Sequence, residues 1–148
     1  MSFTSIADGV IRTITQHADY SCSNVYLEDY RHLGAGQVRY VAVSHAGFLR
    51  EELTFSAIAH IWNVQIDLYS LYNGQLATTK TTALTDMQNI LDTLEAYPRL
   101  SDTTGVNTYE IVSITPIENM QPGQGRNAHV KQQIVLSVSE VVCPTFTE

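Results

Sequence analysis

The residues of this 148-residue chain that could do chemistry are five histidines, two cysteines and two adjacent carboxylate pairs. His17, His32, His45, His60 and His129 are scattered, and no two stand at H-x-H or H-x-x-x-H spacing. Cys22 and Cys143 are far apart, and neither lies in a C-x-x-C pair. A structural zinc site takes four nitrogen or sulfur ligands, normally supplied as close pairs. The chain is therefore expected to hold no metal, and no motif calls for a cofactor. Gly34-Ala35-Gly36 and Gly123-Gln124-Gly125 give only G-x-G, without the longer pattern ahead of a helix that cradles phosphate. Both read as turns. There is no G-x-S-x-G elbow for a serine nucleophile. Glu28-Asp29 and Glu51-Glu52 are neighbours in sequence, so in a strand their side chains would point to opposite faces, a poor arrangement for an acid/base dyad. A catalytic site would have to be assembled from dispersed residues, with His45, His60 and Glu51 as candidates. Eight tyrosines suit an interface, because each joins apolar area to a hydroxyl. Half-buried strand positions account for most of them more simply.

Charge and composition narrow the class. Eight basic against fifteen acidic residues give a formal charge of −7, with no dense Lys/Arg run. That argues against a surface that tracks a phosphate backbone. No apolar run approaches the ~18 residues of a membrane span. Residues 1–148 read as one domain of ordinary globular composition. The start, Met1-Ser2-Phe3-Thr4-Ser5, lacks a basic region followed by an apolar run, so no secretory signal is expected and the cysteines read as free thiols.

The elements that must position these residues follow from periodicity. Phe3, Ile6, Ala7, Val10, Ile11 and Ile14 mark one face of a helix from about Thr4 to His17. A tyrosine-bearing stretch, Ser21 to Leu33, reads as a loop with short strand character. Val38 to Ser44 is rich in β-branched residues and reads as a strand. Phe48 to His60 reads as a loop leading into a strand, with Arg50, Glu51 and Glu52 exposed. Trp62, Val64, Ile66 and Leu68 alternate with Asn63, Gln65, Asp67 and Tyr69, the period of a strand with one apolar face. Asn73-Gly74 is a turn signal. A second helix carries the stripe Leu84, Met87, Ile90, Leu91 and Leu94. Thr85 and Gln88 fit a capping box that would start it at Asp86, whereas Thr82 as cap would start it a turn earlier. Asp86 would then complement the helix dipole. Pro98 ends the helix at Tyr97. Thr108 to Pro116 reads as a strand, with Tyr109 and Ile111 on one side and Val112 and Ile114 on the other. A turn-rich loop, Asn119 to Asn127, leads to a last strand, Val130 to Val141, antiparallel to it. The order predicts an α+β domain, a mixed or antiparallel β-sheet with two α-helices packed on one face.

Two stretches carry a family resemblance. One is Trp62-Asn63-Val64-Gln65-Ile66-Asp67-Leu68-Tyr69 with the Met87–Leu94 helix and Tyr97-Pro98-Arg99-Leu100. The other is Gln133-Ile134-Val135-Leu136-Ser137-Val138, and Asn24-Val25-Tyr26-Leu27-Glu28-Asp29-Tyr30 has the same look. In order and size the chain resembles the tail terminator (tail completion) proteins of long-tailed bacteriophages; head-completion and tail-tube proteins are built similarly. The resemblance implies a structural virion protein of the tail or neck, assembled in the host cytoplasm, and not an enzyme. It implies a homo-oligomer, a hexameric ring that caps the tail tube protein, ends tube growth and meets the head-completion or connector protein. Genome DNA would pass through the lumen without specific binding, and no membrane is involved. The surface expected to meet a partner or the lumen comprises Gln121, Gln124, Arg126 and Asn127 of the glycine-bearing loop, with Arg50, Glu51 and Glu52. The acidic excess would keep the lumen weakly repulsive to DNA.

Overall fold

The strand that carries Trp62, Ala57–Leu71, is the middle of the sheet. The computed structural model describes residues 3–21, 24–27, 39–54, 57–71, 75–100, 108–115 and 129–142. Their elements are α1 (Phe3–Ile14), β1 (Val25–Leu27), β2 (Arg39–Thr54), β3 (Ala57–Leu71), α2 (Leu76–Ala96), β4 (Thr108–Thr115) and β5 (His129–Val142). The strands form one mixed sheet in the order β1-β2-β3-β5-β4, in which only β1 and β2 run parallel. The fold is α+β.

Register explains the core. Val43, Ile66 and Ile134 form one rung across three strands, and Val64 and Leu136 share the next rung on that face. With Val41, Leu68 and Val138 they make an apolar face. Ile6, Ala7, Val10 and Ile14 of α1 and Met87, Ile90 and Leu94 of α2 close over it. Burying each large aliphatic side chain contributes about 1.5–3 kcal/mol gross. A one-rung slip of β3 would turn Val64, Ile66 and Leu68 to the other face, so this face also fixes the register.

Four expectations need correction. First, β2 runs on through the Phe48–Thr54 stretch expected to be loop. Its alternation is broken by a bulge between His45 and Gly47, and a second irregularity follows between Glu52 and Thr54. Gly47 has φ +144°, a backbone state that favours glycine, which is why the bulge sits there.

Second, α2 starts at Leu76, well before Asp86. Its N-cap, Gln75, makes no side-chain capping bond. Neither proposed cap operates. The Thr85 hydroxyl donates back to the Thr81 carbonyl at 3.0 Å, and Gln88 donates to Asp92 at 2.6 Å. The threonine-rich first turns have modest helix propensity. Thr79 and Thr81 satisfy their hydroxyls on carbonyls four residues back within the helix.

Third, the buried stripe is Thr79, Ala83, Asp86, Met87, Ile90, Thr93 and Leu94, whereas Leu84 is 60% exposed. Asp86 is therefore an inward mid-helix residue, not a first-turn partner of the dipole.

Fourth, a bulge between Ile111 and Ser113 pairs Ile114 with Ile134, returning Ile114 to the side of Tyr109 and Ile111. Asn73-Gly74 lies outside the described residues.

The end of α2 follows the predicted route. The Tyr97 amide bonds the Leu94 carbonyl, and Pro98 begins a turn closed by the Leu100 amide on the Tyr97 carbonyl at 3.0 Å. Leu100 is fully buried and holds φ at +50°.

Candidate functional surfaces

Of the residues singled out in the sequence, Arg50, Glu51 and Glu52 lie on β2 and are exposed, as expected, though on a strand. Arg50 and Glu52 share a face, 3.7 Å apart, with their side chains 52% and 75% exposed. Such a solvated pair contributes little to stability. Gln121, Gln124, Arg126 and Asn127, with the rest of the Asn119–Asn127 loop, lie outside the described residues.

The dispersed catalytic candidates do not converge. His45 pairs with Val64, whereas His60 is four rungs further along β3, a separation of roughly 13 Å at ~3.3 Å per residue. His45 packs edge-on against Phe3 of α1, with ring centroids 4.9 Å apart. His60 faces Glu140 at 3.5 Å and lies beside Phe48. Glu51 pairs with Ala59, on the opposite face from His60. Among the described residues no group of three or more His, Cys, Asp or Glu side chains could hold a metal ion, and no helix is long and apolar enough to cross a membrane.

Two polar clusters were not anticipated. The first is built on Asp86, which is 3% exposed. Arg39 Nε donates to its Oδ1 at 3.2 Å and the Ser70 hydroxyl to its Oδ2 at 2.8 Å. Asp19 extends the cluster to 3.9 Å from Arg39. Burial, and secondarily the Asp86 charge, push the nearby Tyr20 phenol far above its ordinary pKa, so it stays neutral. This cluster joins the segment after α1, the start of β2, the end of β3 and the middle of α2. The Ser70 hydroxyl donates to the Asp86 carboxylate, so the arrangement ties these elements together. Its signal was present in the sequence: Asp86 falls in phase with Ala83, Ile90 and Leu94.

The second cluster is on the face opposite the helices. Tyr40 stacks on Tyr69 at 4.3 Å, Tyr26 lies beside Tyr40, and Lys131 stands 6.0 Å over Tyr69. In the next row Asp67, 4% exposed, accepts from Gln65 at 3.1 Å and from Gln133 at 3.4 Å, with Lys131 at 3.9 Å. Cross-strand pairs of this kind stabilise a sheet.

At the β4 edge a depression of about 270 Å³ is lined by Ile61, Tyr109, Glu110, Ser137 and Ser139. Its tyrosine is committed elsewhere, since the Tyr109 hydroxyl donates to the Leu94 carbonyl. Burial, then the Glu95 charge, push that phenol up to about 12. The folded state therefore favours the protonated phenol. Its contribution is complete below the unfolded value of about 10 and is lost as pH rises through about 12. Tyr109→Phe is expected to cost about 1 kcal/mol at pH 7 for the lost bond and to flatten the stability loss between pH 10 and 12. Urea unfolding at pH 7 and at pH 11 reads both; parallel losses in the two proteins would show that Tyr109 plays no part in the alkaline transition.

Among the described residues the large exposed apolar side chains lie mostly on β2 and β4. Phe48, Leu49 and Leu53 are on β2, and Val112 and Ile114 are on β4, each between 46% and 57% exposed. Val141, near the end of β5, is 46% exposed. No protein-family model matches the chain, and no curated protein matches it.

Proposed function

We propose that this chain is a structural subunit of a bacteriophage tail, a terminator whose copies form a single hexameric ring. The ring caps the tail tube, ends its growth, presents the surface that joins the head, and lets DNA through its lumen. The observation that carries this reading is the distribution of exposed apolar side chains along β2 and the end strand β4 of a well-packed α+β core. Apolar residues strung along strand edges suit protein contacts rather than small-molecule chemistry. The element order and the segments around Trp62, Met87–Leu100 and Gln133–Val138 support the family assignment.

A ring needs two unlike axial faces, one matched to the tube and one to the head, and a head-to-tail lateral contact whose rotation closes. The test is to add the purified protein to polymerising tube protein of the same phage. Growth should stop, with tube length falling as the ratio of added protein rises. A protein that instead elongates into stacks by itself would be a tube subunit, and tubes that grow unchanged would reject the terminator role.

A further inference from the structure

We infer that copies of this chain join through their sheet edges, the outer edge of β2 in one subunit pairing with the outer edge of β4 in the next to form one continuous antiparallel sheet. The inference deepens the ring reading and rests on it for closure. β1 covers β2 only at Val41–Val43, so from Ser44 to Leu53 no described strand lies against that side. β4 is the last strand at the other end, with no described neighbour along Thr108–Thr115. A strand edge without a described neighbour is a template for another chain.

Three features fit these two edges to each other. Direction is the first: β2, β3, β5 and β4 alternate, so β2 and β4 run oppositely. Two copies placed side by side, with their helix-bearing faces on the same side, then bring β4 against β2 antiparallel. The second is the match of faces. Phe48 pairs with Trp62 on the helix-bearing side, and Leu49 with Ile61 on the other. On β4, Ile114 lies on the helix-bearing side, and Val112 is the extra residue of the bulge, 57% exposed. Joining the edges sets Phe48 near Ile114 and brings Leu49 and Val112 to the same seam, withdrawing apolar area from water. The third is that each copy carries one edge of each kind, which a head-to-tail contact requires. A chain of net charge −7 must rely on such apolar and backbone contacts to meet itself. Sheet twist turns each copy relative to the last, which allows closure.

The test uses two full-length variants, one for each edge: Leu49→Lys with Leu53→Lys, and Val112→Lys with Ile114→Lys. All four positions are at least 48% exposed, so the fold should survive, as circular dichroism would check. Should a pair fail to fold, the single changes Leu49→Lys and Val112→Lys replace it. Light scattering after size exclusion is expected to show the unaltered protein associating, each variant alone as a monomer, and their mixture as a 1:1 dimer that grows no further, because one good edge of each kind remains. A β4-edge variant that still dimerises alone would show β2 pairing with itself and overturn the inference. So would variants that assemble like the unaltered protein, or an unaltered protein that stays monomeric at all concentrations. Edge-paired oligomers that never close would leave the pairing standing and remove the ring.

Discussion

Asp86→Ala is expected to cost about 3–5 kcal/mol of folding stability, the range for removing one partner of a buried ion pair. Asp86 is 3% exposed and lies mid-helix, where it accepts from both Arg39 and Ser70. Alanine is the better helix former, so local propensity predicts a small gain. The expected loss must come from Arg39 and Ser70, which are left without their acceptor. Arg39 keeps 26% of its side chain in water, which places the loss toward the lower end of the range. Asp86→Asn keeps an acceptor for one neighbour and should lose less. In a double-mutant cycle, Arg39→Met combined with Asp86→Ala should cost less than the two single changes together. Urea unfolding at pH 7 reads all of these, and a loss below about 1 kcal/mol for Asp86→Ala would remove this cluster from the account.

Leu100 gives the second large effect. Its side chain is fully buried, and its backbone holds φ at +50°. Leu100→Ala should cost about 2–5 kcal/mol through lost burial and the cavity left behind. Alanine keeps the left-handed strain of about 1–2 kcal/mol, and glycine relieves it. Leu100→Gly should therefore be no less stable than Leu100→Ala although it removes one carbon more, the reverse of their usual order. Thermal unfolding of the two variants checks this, and a glycine variant clearly weaker than the alanine one would argue against a strained backbone at this position.

What was legible in the sequence follows from where a single period holds. The alternation from Trp62 to Leu68 is unbroken because β3 has no bulge of its own, and it is flanked by β2 and β5 along its length. α1 and β5 were equally plain, as was the stop at Tyr97-Pro98. The errors cluster where a period changes phase. β2 looked like strand followed by loop because the bulge at Gly47 inserts a residue, and the same effect misplaced Ile114 on β4. The early turns of α2 were hidden by threonines whose hydroxyls bond to the helix backbone. Leu84 fits the helical spacing of Met87, Leu91 and Leu94, but the buried side centres on Ala83, Met87, Ile90 and Leu94 and leaves Leu84 exposed. The surfaces were the least legible. Exposure of Phe48, Leu49, Val112 and Ile114 depends on strand order, and strand order is set by pairings between residues distant in sequence. Asp86 read as a partner of the helix dipole because Arg39 and Ser70, which it holds, are distant in sequence.

As proposed, this chain ends a tail tube with one ring. Negative-stain images of tubes incubated with the purified protein test it most directly. A single additional ring of six subunits at tube ends, absent from tubes alone, is the predicted result. Bare tube ends beside free protein at saturating concentration would contradict it.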